Sequence, residues 1–208
     1  MNYRFVSNIL ESSIIDMGSF QVKQPLPTQK VPQISPFLLL HHFGPINVEP
    51  GFDPIDLGPH PHRGFEPVTF LYQGGIRHKD SLGNEGILEA GDIQWMTSGR
   101  GIIHSERASD FFMENGGTIE GIQLWVNLPA QNKMTQPKYQ EIRKNDIPIL
   151  AENKVTHRLV SGNWNGQKGI VDTFSPMIII QTSILSGGKT HIPIPENFNA
   201  CIYILSGK

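Results

Sequence analysis

The chain is poor in cysteine, with Cys201 as the only one among its 208 residues. A single cysteine can form neither an intrachain disulfide framework nor a zinc site built from several thiolates. Cys201 stands in an apolar run, where we expect it to be a small buried hydrophobic residue. The sequence thus excludes the small disulfide-rich proteins and the thiolate zinc modules.

An excess of one charge and long apolar runs are also missing. The 17 Lys and Arg residues nearly balance the 19 Asp and Glu residues, for a net charge of -2. A nucleic-acid-binding surface needs clustered basic residues, and this balanced composition gives no indication of one. No apolar stretch approaches membrane-spanning length, and the first residues lack the apolar core of a signal peptide. We therefore expect a soluble cytoplasmic protein with no membrane contact and no direct binding to nucleic acid.

Two doublets of potential metal ligands are the most informative feature that is present. His60 and His62 form the first doublet, and His104 and Glu106 form the second. Residues i and i+2 of a β-strand point to the same face, so each doublet projects two metal-binding groups in one direction. If the two strands face each other, three imidazoles and one carboxylate converge. Such a mixed nitrogen and oxygen site suits a first-row transition metal rather than magnesium or calcium.

The surrounding sequence predicts short strands separated by turns. The chain has 21 glycines and 16 prolines, which is typical of many short strands rather than of a helical bundle. Residues 58–75 run from a turn-rich stretch through β-branched and aromatic residues to a Gly-Gly turn. Residues 80–86 indicate a hairpin turn, and residues 121–128 alternate as a half-buried strand.

These motifs resemble the cupin superfamily of β-barrels and, within it, the pirin family. The resemblance is specific over residues 36–128 and rests on four runs, at 36–45, 60–66, 78–84 and 91–106. It implies an all-β fold, namely a cupin barrel of the double-stranded β-helix or jelly-roll type, in a tandem bicupin arrangement. It also implies a metal ion, usually iron, held by the matching residues His60, His62, His104 and Glu106.

Two glutamates compete for the place of the carboxylate ligand. The general cupin pattern has a glutamate three or four residues after its His-x-His motif, and Glu66 has that spacing. The pirin family uses the residue that matches Glu106, and a doublet on one strand gives the tighter geometry that metal sites need. We expect Glu106 to bind the metal and Glu66 to lie nearby, with either carboxylate available as a catalytic general base.

An internal repeat predicts the domain organisation. After a shift of 133 positions, residues 68–74 align with residues 201–207. In this alignment His60 corresponds to Pro193, His62 to Pro195 and Glu66 to Asn199, so the second copy lacks the ligands of the first. We predict a metal-binding barrel over residues 1–130, a linker over 131–150, and the start of a degenerate, metal-free second cupin copy, truncated at the chain end, over 151–208.

The resemblance implies an activity and one alternative. The activity is that of a quercetin 2,3-dioxygenase, the oxidative ring opening of a flavonol or a related enolisable aromatic substrate. It requires one transition-metal ion with an open coordination position, for which iron is expected and copper, manganese, nickel, cobalt or zinc are possible. The alternative is a non-enzymatic metal-binding or redox-sensing regulator whose protein partner is a transcription factor or a metabolic enzyme. The fold alone does not decide between them, because cupins serve both kinds of function.

Overall fold

Strands account for most of the regular structure in a computed structural model of the chain, which describes residues 3–207. Within these residues the strands are, in chain order, β1 (Ser13–Asp16), β2 (Gln21–Leu26), β3 (Phe37–Val48), β4 (Leu57–His62), β5 (Phe65–Gln73), β6 (Gly75–Asp80), β7 (Glu85–Glu89), β8 (Ile93–Thr97), β9 (Ile102–Ala108), β10 (Gly117–Asn127), β11 (Lys138–Ile142), β12 (Ile149–Glu152), β13 (Val155–Ser161), β14 (Asn163–Trp164), β15 (Gln167–Lys168) and β16 (Ile179–Ile184). The described helices are α1 (Asp110–Asn115) and a 3-10 helix (Ala130–Asn132). None of the helices in this described range is long and apolar enough to cross a membrane.

Two antiparallel sheets form the barrel. The larger sheet has the strand order β1-β2-β3-β10-β5-β8-β11, and the smaller one has the order β4-β9-β6-β7. Strands that are distant in sequence lie side by side, since β10 is inserted between β3 and β5 and β9 between β4 and β6. The predicted all-β class is confirmed. The predicted hairpin turn at residues 80–86 is also confirmed, because β6 pairs with β7 and the Asp80 carboxylate accepts hydrogen bonds from the backbone N–H groups of Leu82 and Asn84.

Strand β5 shows how side-chain alternation builds two cores. Its β-branched and aromatic residues favour an extended strand, and successive side chains point to opposite faces. Val68 and Phe70 belong to a core on the outer face of the larger sheet, whereas Leu71 belongs to a core between the two sheets. Both faces of this strand are therefore covered.

The inner core fills one end of the barrel and supports the strand that carries the second doublet. It joins residues from both sheets, including Leu71, Ile76, Leu88, Ala108 and Ile119. Ala108 lies two residues beyond Glu106 on β9, so its burial orients the same face of that strand inwards. Truncating a large member of such a core costs about 2–5 kcal/mol.

The outer core is covered by residues that follow the barrel in sequence. Ile147, Val160, Val171 and Met177 pack against Val68, Trp95, Leu124 and Val126 of the larger sheet. Val160 comes from a small sheet with the order β12-β13-β16. Residues 147–177 thus form a layer on the outside of the barrel.

Residues 131–150, predicted as a linker, contribute a strand to the barrel. Within them, β11 pairs with β8 and forms the last strand of the larger sheet, with Tyr139 opposite Met96 and Ile142 opposite Ile93. Ile142 is buried in the outer core, which explains why this segment is held on the sheet. The assignment of residues 151–208 to a second cupin copy stays a prediction.

The repeat at residues 201–207 does not form a strand in the structure. Tyr203 and Leu205 pack against the outer core, while Ile202 and Ile204 point away and are 91% and 60% exposed. Cys201 is exposed, so the expectation that it is buried is wrong. The physical reason is that no neighbouring strand of the described chain pairs with this segment and covers its second face.

Candidate metal centre

The three predicted histidines meet because their strands are neighbours. Strands β4 and β9 pair antiparallel, with His60 directly opposite His104. Directly opposed residues share one face of a sheet, and so does the residue two positions along. His62 therefore joins them. The ring centroids lie 4.4 Å apart for His60 and His104 and 4.8 Å apart for His62 and His104.

The cluster has the geometry of a metal site, and His62 and His104 have the protonation state that metal binding needs. One ring nitrogen from each of His60, His62 and His104 lies within 4.8 Å of the other two. Burial, and then the neighbouring imidazoles, lower the pKa of His62 to about 4 and that of His104 to about 3. Both rings are consequently neutral at pH 7, which is the form that binds a metal.

The hydrogen bonds of the cluster leave ring nitrogens free for a metal. The His62 Nε2 atom and both ring nitrogens of His104 are buried without a hydrogen-bond partner among the described residues. A buried polar atom in that state is unfavourable, and a metal ion would relieve it. The Nδ1 atom of His60 lies 2.8 Å from the Gly58 carbonyl oxygen, which can only accept a proton, so Nδ1 donates and Nε2 keeps its lone pair. A metal-binding histidine commonly donates its other N–H to a backbone carbonyl in this way.

Glu106 points into the same space from the neighbouring position on β9. It lies two residues after His104 and is 5% exposed, and β9 carries it on the inward face. Burial raises the pKa of its carboxyl, an effect that His60 and Gln123 partly oppose. Its carboxylate oxygens lie outside the group of three ring nitrogens described above.

Glu66 points away from the cluster. It lies opposite Val126, which belongs to the outer core, and its Oε1 atom accepts a hydrogen bond of 2.6 Å from the Thr97 hydroxyl. Its neighbour Phe65 instead packs against His62, with ring centroids 5.3 Å apart. Because adjacent residues of a strand face opposite sides, the structure does not bring this predicted site residue to the histidines.

A comparison with known families identifies the chain. The family model described as Pirin matches residues 19–126, which is more than half of the sequence. The chain belongs to the pirin family. The predicted resemblance is thereby confirmed, and because pirins are cupins the predicted cupin barrel is confirmed as well.

Individual pirin relatives resemble most of the chain. It is 41% identical to Pirin-1 of Arabidopsis thaliana over 95% of its own length and 62% of that protein, and 36% identical to human Pirin over 90% and 61%. The crystal structure of a quercetin 2,3-dioxygenase from Acinetobacter baumannii superimposes with a TM-score of 0.83 at 41% identity, over 90% of this chain and 66% of that one. The chain thus spans about three fifths of the length of these curated relatives.

The larger sheet adds residues that the doublets did not predict. Gln123 on β10 approaches Glu106, with 3.4 Å between its Nε2 atom and the Glu106 Oε2 atom. Trp125, two residues further, packs against His62 and Phe65. Both residues lie in the alternating run at 121–128. The one signal in the sequence that could have pointed to them was a polar glutamine within this apolar strand.

Strand β6, which pairs with β9 on the side away from β4, brings a further histidine next to Glu106. His78 on β6 is directly opposite Glu106 and is buried, and its Nε2 atom lies 3.2 Å from the Glu141 Oε1 atom. Tyr139 stacks on the His78 ring, with centroids 5.1 Å apart. Gly86 leaves room for this contact, because a Cβ atom there would lie 2.5 Å from the His78 Nε2 atom and also against the Glu141 carboxylate. Strand β6 thus places a buried histidine beside Glu106, in contact with Glu141 of β11.

Proposed function

We propose that the chain acts as a metal-dependent dioxygenase of the quercetin 2,3-dioxygenase type, which opens the ring of a flavonol or a related enolisable aromatic molecule. The observation that carries this proposal is the convergence of three imidazoles beside a buried carboxylate. The similar structure from Acinetobacter baumannii, whose description is quercetin 2,3-dioxygenase, supports it.

In this proposal one transition-metal ion is bound by His60, His62, His104 and Glu106. Three nitrogen donors and one oxygen donor suit iron, which we expect, and also copper, manganese, nickel, cobalt or zinc. The bound ion would supply a Lewis-acidic, redox-active centre with an open coordination position for substrate and dioxygen. The freely directed nitrogens of His62 and His104 fit that role, since they have no other partner in the described chain.

Glu106 is the general base of the proposed reaction. Its carboxyl group is buried on the same face of β9 as His104, beside the histidines where the substrate would bind. In this role an oxygen of Glu106 accepts the proton of the flavonol hydroxyl group. Glu66, the second candidate base, lies on the opposite face of β5 and cannot reach the same space without a reversal of that strand.

Aromatic residues beside His62 would orient a planar substrate. The rings of Phe65 and Trp125 lie 4.3 Å apart at 31° and both approach His62. Aromatic faces favour stacking with other aromatic rings, and a flavonol is planar and aromatic. The same side chains exclude water from the space next to the histidines.

Turnover of quercetin by metal-loaded protein tests the proposal. The chain is loaded separately with iron, copper, manganese, nickel or cobalt, and dioxygen uptake and the near-visible absorption of quercetin are followed. We expect uptake together with bleaching for at least one metal, and loss of both in the variant His62→Ala. If no metal raises turnover above the background of free metal, and the variant equals the parent, the dioxygenase is excluded and the metal-binding regulator replaces it.

A further inference from the structure

Gln123 connects the two sheets at the metal centre. It lies on β10 of the larger sheet, whereas all four proposed ligands lie on β4 and β9 of the smaller sheet. Its Oε1 atom accepts a hydrogen bond of 3.1 Å from the indole N–H of Trp125, and its Nε2 atom donates one of 3.4 Å to the Glu106 Oε2 atom. The amide therefore uses its two ends on two different partners.

The contact with Trp125 determines which end of the amide faces Glu106. The indole N–H can donate a hydrogen bond and cannot accept one. The Gln123 oxygen must therefore face Trp125, which leaves the NH2 group on the side of Glu106. If the amide were flipped, its NH2 group would face the indole N–H of Trp125 and its oxygen would face the Glu106 carboxylate. Neither contact would then be a hydrogen bond. Whenever Gln123 accepts the hydrogen bond from Trp125, its NH2 group therefore faces Glu106 as a donor.

Trp125 is itself held in place by the site. Its ring packs at a centroid distance of 4.3 Å from Phe65 and 5.7 Å from His62. One side chain therefore contacts a proposed histidine ligand and orients the amide that contacts the proposed glutamate ligand. Only its N–H group serves the second role, so the two roles can be separated by substitution.

We propose that Gln123, oriented by Trp125, is a positioning residue that holds the Glu106 carboxylate as an acceptor in the direction required for metal binding. This inference rests on the ligand assignment in the proposed function. Outer hydrogen-bond partners of metal ligands typically change affinity by about 10- to 100-fold when they are removed. Gln123 is the described residue whose side chain donates to Glu106.

The test measures Co²⁺ affinity of the full chain by competition with a chelator, so it does not depend on turnover. We expect Gln123→Leu to weaken binding by about 10- to 100-fold. Trp125→Phe should weaken it in the same direction but less, because it keeps the aromatic contact with His62 and removes only the constraint on the amide. Gln140→Leu is the matched control and should leave the affinity unchanged. Gln140 lies in the same sheet, opposite Trp95 of the outer core, and its amide hydrogen-bonds to the backbone of Asp172 at both ends.

A double-mutant cycle and a spectrum distinguish positioning from a structural role. If Gln123 acts through Glu106, adding Gln123→Leu to Glu106→Gln should cause little further loss of affinity. The visible absorption of bound Co²⁺ should also shift in Trp125→Phe, whose unfolding midpoint serves as the check on folding. Additive losses in the cycle, or a parent-like affinity and spectrum in Trp125→Phe, would overturn the inference.

The same measurements separate this inference from the proposed function. If Glu106→Gln keeps the parental affinity, the ligand assignment fails and the positioning role fails with it. If Glu106→Gln weakens binding while Gln123→Leu and Trp125→Phe do not, the ligand assignment holds and only the positioning role is rejected. Absence of quercetin turnover together with the expected affinity pattern would reject the dioxygenase alone.

Discussion

His60 lies directly opposite His104 in the antiparallel pair of β4 and β9, with 4.4 Å between the ring centroids. This single register brings two residues together that are far apart in sequence, and His62 follows by strand alternation. The histidine cluster of the candidate metal centre is therefore a property of one strand pair in the smaller sheet. The larger sheet adds Trp125, which packs against His62.

The first prediction concerns the number of metal ions. The chain should bind about one transition-metal ion, because the described residues contain one group of three histidines suitable as ligands. His104→Ala should lose most of the metal, since removing one ligand disrupts both affinity and geometry. His191→Ala, a change of an exposed histidine, is the control. Elemental analysis that finds two ions per chain would contradict a single site and a metal-free second repeat.

The second prediction separates the two glutamates. Glu106→Gln should weaken metal binding by at least about 10-fold, because it removes a charged ligand on the inward face of β9. Glu66→Gln should leave the affinity unchanged, because Glu66 lies on the outward face of β5. Competition with a chelator measures both variants under the same conditions. The reverse order of effects would mean that the general cupin ligand set applies.

The third prediction is a pH dependence of stability that arises from Glu66. Burial raises the pKa of this carboxyl above its ordinary value of 4.5, although Thr97 partly opposes the effect. The folded state therefore binds the proton more tightly than the unfolded state, and Glu66 makes the free energy of unfolding fall as the pH rises from about 4.5 through the raised pKa. Glu66→Gln removes this slope.

Chemical denaturation of parent and variant between pH 4 and pH 8 checks this expectation. The unfolding free energy of Glu66→Gln minus that of the parent should increase with pH in the lower part of this range and then become constant. Taking the difference cancels the titration of all other groups. A difference that is independent of pH, or one that decreases, would show that burial does not raise this pKa.

The fourth prediction concerns the glycine beside His78. Gly86→Ala would place a methyl group against the contact between His78 and Glu141, so the chain must shift or the contact must break. We expect a loss of about 1–3 kcal/mol in unfolding free energy. The matched control is Gly58→Ala, another strand glycine, whose added Cβ would meet no atom within 4 Å. Equal stability of the two variants would show that the space at Gly86 is not required.

Local patterns in the sequence predicted much of the fold and the centre of the site. The two doublets identified the histidines, and glycine and proline positions indicated the turns between strands. The sequence did not predict that residues 138–142 would extend the larger sheet, because an edge strand depends on a partner far away in the chain. It also suggested a strand at residues 201–207, which lack a neighbouring strand in the structure.

The types of the candidate ligands and their pairing on one face were determined by the sequence alone, since alternation along a strand is a local property. Which face of β5 turns inwards was decided only by the tertiary structure, through the pairing of Glu66 with Val126 on a strand distant in sequence. Two further long-range contacts surround Glu106: His78 lies opposite it in the β6–β9 pair, and Gln123 reaches it from the other sheet. Such contacts depend on strand pairing and sheet packing between distant segments, which no short motif encodes.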